Sequence, residues 1–152
     1  MKKVFALKGI RNIGKSQTIR TVDELLRAKY PCARVEDEYR TKVELRVVLS
    51  IKGVKIGIES TGENIGRIQS SFDLFVSRGC EVIICATRTT GKTVNAVNRL
   101  HGYEVVWFEQ RAQSAPFERV LSNLAMARDI AEETERTIAS SEPAVLSRAA
   151  GR

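Results

Sequence analysis

The run GIRNIGKS, from Gly9 to Ser16, constrains the fold more than any other part of this chain. Gly9 and Gly14 bracket four residues, and Lys15 and Ser16 follow at once. Such a run is useful only between a strand and a helix, because loop N–H groups and a helix N-terminus must converge on one anion. Both flanks agree with that placement. Upstream, KVFALK (Lys3 to Lys8) is a short apolar stretch that reads as a buried strand ending at Gly9. Downstream, Ile19, Val22, Leu25 and Leu26 recur at helical steps until Pro31 stops them.

The rest of the chain extends this pattern. ARVEDEYRTK (Ala33 to Lys42) is acidic and reads as a loop. Val43, Leu45, Val47, Leu49 and Ile51 alternate with mostly polar residues, as do Val54, Ile56 and Ile58, and Lys52 and Gly53 between them predict an antiparallel hairpin. Ile68, Phe72, Phe75 and Val76 share one side of a helix predicted over Ile65 to Ser77, with Gly79 as its stop. EVIICA (Glu81 to Ala86) is the continuous apolar run of a central parallel strand. A polar loop, a short helix over Val94 to Leu100 and a strand over Tyr103 to Glu109 follow. Ser114 and Pro116 open a last helix whose Val120, Leu124, Ala127, Ala131 and Ile138 form one stripe. This order predicts a three-layer α/β/α sandwich around a mostly parallel five-stranded sheet with one antiparallel hairpin strand. A chain of 152 residues fits one such domain, assigned to 1–140, and 141–152 lack sustained periodicity and are expected to form a loose tail.

Composition narrows the partners. Lys and Arg exceed Asp and Glu by 25 to 18, which favours anionic ligands of any kind. The basic residues are scattered and aromatics are only 6%, so a nucleic-acid face is not signalled. Cys32, Cys80 and Cys85 form no C-x-x-C pair, and His101 has no companion ligand, so a metal cluster is not expected. Cys80 and Cys85 read as small buried side chains of a reduced, cytoplasmic protein. MKKVFALKG breaks at Lys8, too early for a secretory leader, and no run approaches the ~18 apolar residues of a membrane span.

The strand, GIRNIGKS and the helix together resemble the opening of the P-loop NTPase superfamily, and the similarity of element order covers most of the chain. The resemblance implies a nucleotide-binding domain that takes Mg²⁺ and a nucleoside triphosphate. Backbone amides of Gly9, Ile10, Arg11, Asn12, Ile13, Gly14, Lys15, Ser16 and Gln17 would cradle the phosphates. Lys15, as an exposed side chain, would reach the terminal ones, and Ser16 would ligate the metal. ESTGE (Glu59 to Glu63) is similar to the D-x-x-G-Q segment of Ras-like GTPases, which also follows a hairpin. On that resemblance Glu59 serves the metal, the Gly62 amide meets the terminal phosphate, and Glu63 orients or deprotonates the attacking water. Thr41 would stand where those GTPases hold a metal-binding switch threonine. The N-K-x-D guanine-reading segment is absent: Ala86 to Thr90 stand there instead, which makes ATP the default nucleotide.

Each of these residues also has a plain reading. Glu59 alone is a solvated strand-end carboxylate, Thr41 a turn residue and Arg88 a solvated loop arginine. ATRTTGKT (Ala86 to Thr93) follows a central strand, where α/β proteins bind ligands, so Arg88 and Lys92 are candidates to meet a second substrate or a protein partner. Arg88 would also act as an internal arginine finger. TGKT is not a second phosphate loop, because Ala86 replaces its first glycine. Glu36 to Glu38 read as a solvated acidic face, and Trp107 and Phe108 as core. Three functions remain open: a small ATPase or nucleotide-dependent switch, a small-molecule or nucleotide kinase, and a binding module that holds nucleotide without turnover. Self-association is left open as well.

Overall fold

The computed structural model describes the backbone of residues 2–150 and the side chains of residues 2–141. The elements run β1 (Lys2–Lys8), α1 (Lys15–Lys29), β2 (Arg34–Arg40), β3 (Leu45–Ile51), β4 (Val54–Glu59), α2 (Ile65–Ser77), β5 (Val82–Thr87), α3 (Lys92–Asn98), β6 (Tyr103–Glu109) and α4 (Pro116–Ala150). The helical backbone thus passes beyond residue 140. The loose tail expected over 141–152 falls almost entirely outside the residues described in full.

One sheet holds all six strands in the order β2-β3-β4-β5-β1-β6. β4, β5, β1 and β6 are mutually parallel, and β3 alone runs against its neighbours. The β3–β4 hairpin is as expected. Lys52 and Gly53 both take positive φ (52° and 81°), as a two-residue turn matched to strand twist requires.

The sheet has six strands rather than five because Arg34–Arg40, expected as loop, is an edge strand. RVEDEYR has no apolar face to bury, and an edge strand needs none: it pairs with β3 through the backbone and meets water with charge. Ion pairs pin it down. Arg27 and Arg40 both bond the buried Asp23 of α1 (2.9 and 3.0 Å) and Glu38 of β2 (2.5 and 3.2 Å). Glu36 and Asp37 face Lys55 and Arg78, so the acidic run is a paired edge.

Strand alternation sends each sheet residue to one of two cores. Phe5, Leu7, Leu49, Ile56, Ile84 and their neighbours pack under α1 and α4. Val4, Ala6, Val48, Ile83 and Cys85 pack under α2 and α3. All six β5 residues are buried, as expected for the central strand. Trp107 and Phe108 of the outer strand β6 are partly buried and pack on opposite cores. Cys80 and Cys85 are buried free thiols and Cys32 is exposed; burial pushes Cys80 up to about 12.

The layering positions the site. β1 feeds α1 on one face of the sheet, while its neighbour β5 feeds α3 on the other. The loops after these two strands therefore diverge and leave a crevice at their carboxyl ends, where open α/β sheets bind ligands.

Candidate functional site

The loop Gly9 to Gly14 leaves β1 at this crevice and enters α1 through Gly14. Gly14 has φ +94°, a left-handed conformation that favours glycine, and a Cβ there would lie 2.6 Å from the Asn123 amide. Gly9 is constrained by contact instead. A Cβ on it would stand 2.6 Å from Ile13 Cδ1 and 2.9 Å from the Gln110 carbonyl oxygen. Both glycines of the sequence motif thus have a packing reason of their own.

Lys15 is only 5% exposed, not the exposed side chain expected, because the loop folds over its stem. Its Nζ donates to the carbonyls of Gly9 and of Ile10, the latter at 2.8 Å. Burial lowers its pKa below the usual lysine value; the Glu63 carboxylate 3.7 Å away works against that shift, and Arg88 adds to it. The Lys15 ammonium is thus held by two loop carbonyls and faces one carboxylate, that of Glu63.

Behind the loop lies a polar latch that sequence reasoning missed. Gln110, buried just past β6, donates through Nε2 to the Ile13 carbonyl (2.9 Å) and to Asn123 Oδ1 of α4 (2.5 Å). Its Oε1 accepts from the Thr18 hydroxyl of α1 at 2.8 Å. One amide therefore ties loop, α1 and α4 together. Its only sequence signal is a polar residue closing a parallel strand beside the loop strand.

In front of the loop opens a cleft of about 620 Å³ lined by Asn12, Gly14, Lys15, Ser16, Gln17 and Arg20 on one side. Val43, Glu44, Ser60, Thr61, Gly62, Glu63 and Asn64 line the other. Ser16 donates its hydroxyl to the Val43 carbonyl at 3.1 Å. Thr61 Oγ1 and Arg20 Nε are buried without a hydrogen-bond partner, polar atoms left over at the cleft wall. Ile13 is buried behind the loop, Ile10 and Arg11 are exposed on its crest, and Gly62 rests against Ala86 at the end of β5.

Glu63 is brought to the loop. Its Oε2 lies 3.5 Å from Arg11 Nε and 3.7 Å from Arg88 Nε, and its Oε1 is the atom facing Lys15. Arg88, half exposed, thus reaches the site across the crevice rather than standing free in solvent. Lys92 is exposed and lines two smaller hollows instead of this cleft.

Glu59 and Thr41 behave differently. Glu59 is fully buried, so the solvated reading of it fails, yet it does not line the cleft either. Its Oε1 accepts from Ser71 and from Arg67 Nε (3.1 Å), and its Oε2 from the Thr61 amide (3.0 Å). Arg67 also bonds Glu44 at 2.8 Å and stacks over Tyr39. Burial alone would weaken the charge on Arg67; Glu59 and Glu44 outweigh it and hold the guanidinium more firmly protonated than usual. Thr41 is exposed, and its hydroxyl accepts from the amides of Val43 and Glu44 (3.2 and 3.0 Å), which makes it the residue that closes the turn before β3.

Among the described residues no helix is long and apolar enough to cross a membrane, and no group of three or more His, Cys, Asp or Glu could hold a metal ion. Comparison with protein-family models, with curated proteins and with solved structures finds no match to this chain.

Proposed function

We propose that this protein binds a nucleoside triphosphate with Mg²⁺ at the Gly9 to Gln17 segment and works as a small ATPase or nucleotide-dependent switch. The observation that carries the reading is Lys15: a buried ammonium, pinned by loop carbonyls at the foot of a polar cleft, at the helix N-terminus where a phosphate would lie. Burial still lowers the Lys15 pKa despite Glu63 and two carbonyl acceptors, a cost that an anionic ligand would offset further. The P-loop NTPase resemblance of the sequence gives the same expectation.

The cleft offers the hard oxygen donors that Mg²⁺ takes: the Ser16 hydroxyl, the orphan Thr61 hydroxyl and the Glu44 carboxylate. Glu59 would join them only by leaving Arg67, and Thr41 only by opening its turn. Mg²⁺ bound there would neutralise charge on the terminal phosphates. The chain's own residues would orient the phosphates through loop amides, Lys15 and Arg88, with the Gly62 amide approaching from the opposite wall.

A kinase is the second reading, and one feature favours it. The cleft continues past the loop to Arg20, Val43 and Glu44, which leaves room for an acceptor beside the phosphates. Thermal-shift and native mass measurements with ATP, GTP, ADP and GDP, each with Mg²⁺, test the binding claim. Stabilisation by at least one triphosphate is expected, and no shift with any of the four would end the proposal. Phosphate release without acceptor separates a hydrolase from a kinase.

A further inference from the structure

Glu63 stands among three cations that a phosphate would be expected to claim. Arg11 of the first loop, Lys15 at the start of α1 and Arg88 of the loop after β5 place nitrogens 3.5, 3.7 and 3.7 Å from its two carboxylate oxygens. Lys15 is the buried member of the set and Arg88 the one reaching across from β5. Clustering three cations costs energy unless an anion sits among them, and in the free protein that anion is Glu63.

The position matters because a phosphate loop treats the phosphates unequally. Loop amides hold the inner ones, and the lysine reaches toward the last. The Glu63 carboxylate lies against Lys15 Nζ, the atom expected to meet the last phosphate, and against Arg88, next to Gly62. Resting on the phosphate-binding reading above, we infer that Glu63 is a specificity-determining residue. Its carboxylate fills the place of a third phosphate, so that a triphosphate must displace it whereas a diphosphate binds alongside it.

The displaced carboxylate belongs to the segment that starts α2. Glu63 precedes Asn64, whose side chain accepts from the Arg67 amide as the helix cap, and Arg67 in turn holds Glu59 and Glu44. Exchange of carboxylate for phosphate therefore frees Glu63 from both loops at a point joined to the β3 and β4 ends. A third phosphate is sensed by the anion it evicts.

The test uses the full chain with Mg²⁺ and probes that carry no base: pyrophosphate and tripolyphosphate, followed by ADP and ATP. Calorimetric affinities are compared for wild type, Glu63→Gln and Glu63→Asp. In Glu63→Gln the preference for triphosphate over diphosphate should rise about tenfold, the combined effect of several individually weak ion pairs. Glu63→Asp, which keeps the charge but withdraws it, should fall between. An equal gain for both probes, an unchanged ratio, or a lower triphosphate affinity in Glu63→Gln would overturn the inference while leaving the loop as a phosphate site. If wild type binds neither polyphosphate, the phosphate-site reading fails, and this inference with it.

Discussion

Two loops of this chain carry Gly-Lys and a hydroxyl residue after a parallel strand, and they differ in what lies inside them. Gly14, Lys15 and Ser16 follow β1; Gly91, Lys92 and Thr93 follow β5. Five residues before Gly14 stands Gly9, in the loop; five before Gly91 stands Ala86, still in β5. The first loop closes over its lysine, with Ile13 and the Gln110 carbonyl packed where a Gly9 Cβ would be. The second leaves Lys92 exposed and closes on itself: the Thr93 hydroxyl accepts from the Arg88 amide at 3.0 Å. Nothing stands within 4 Å of a Cβ on Gly91, whereas Gly14 is backed by Asn123. A Gly-Lys signature becomes a candidate anion site only where distant parts of the chain fill the space behind it.

The largest expected effect separates the two lysines. Lys15→Ala should abolish stabilisation by Mg²⁺-ATP or Mg²⁺-tripolyphosphate, a loss of ~2.7 kcal/mol at a ligand concentration one hundred times Kd. Lys92→Ala should keep that stabilisation. Thermal midpoints with and without ligand give both answers. Equal losses in the two variants would mean that the loops are not distinct in this way.

The backing of the first loop gives a smaller effect. Gln110→Ala would leave the Ile13 carbonyl, the Thr18 hydroxyl and Asn123 Oδ1 without their shared partner, at a cost of about 1–3 kcal/mol. The matching change in the second loop, Thr93→Val, removes one amide contact and should cost about 1 kcal/mol. Denaturant titration of the free protein measures both. A Gln110→Ala variant as stable as wild type would show that the latch is not what holds the loop.

The same contrast explains what could be read from sequence. The first loop, both of its flanking elements, the hairpin and the central strand are local: their periodicity and turn residues lie within a few positions of one another. β2 was illegible because Arg34–Arg40 alternates nothing apolar; the backbone of β3 and the carboxylate-arginine pairs of α1 hold it, and both are remote in sequence. Gln110 and Asn123 were illegible for a related reason. Each is an ordinary polar residue until β6 and α4 come to rest behind Ile13 and Gly14. Glu59 was recognisable as an unusual strand end, but its partner Arg67 lies on the next helix and turns the carboxylate inward.

The smallest expected effect is a pH dependence, and it probes whether burial of Lys15 outweighs its contacts with Gly9, Ile10 and Glu63. Burial is the largest influence on Lys15 and lowers its pKa from the ordinary 10.5; Glu63 opposes this, and Arg88 reinforces it. The folded state then holds this proton less tightly than the unfolded chain, so between the lowered value and 10.5 the unfolded chain binds more protons and stability rises with pH. The cost of a charged Lys15 is complete below the folded pKa and fades as the pH climbs toward the ordinary value. Lys15→Met carries no such cost, so the stability of wild type relative to Lys15→Met should increase across that alkaline window. Saturating tripolyphosphate should flatten the increase in wild type, because its oxygens add further anionic partners around the ammonium. Denaturant midpoints over that window, with and without the polyphosphate, check both statements. A difference independent of pH without ligand would mean that Lys15 is solvated in the free protein and that the loop does not close over it.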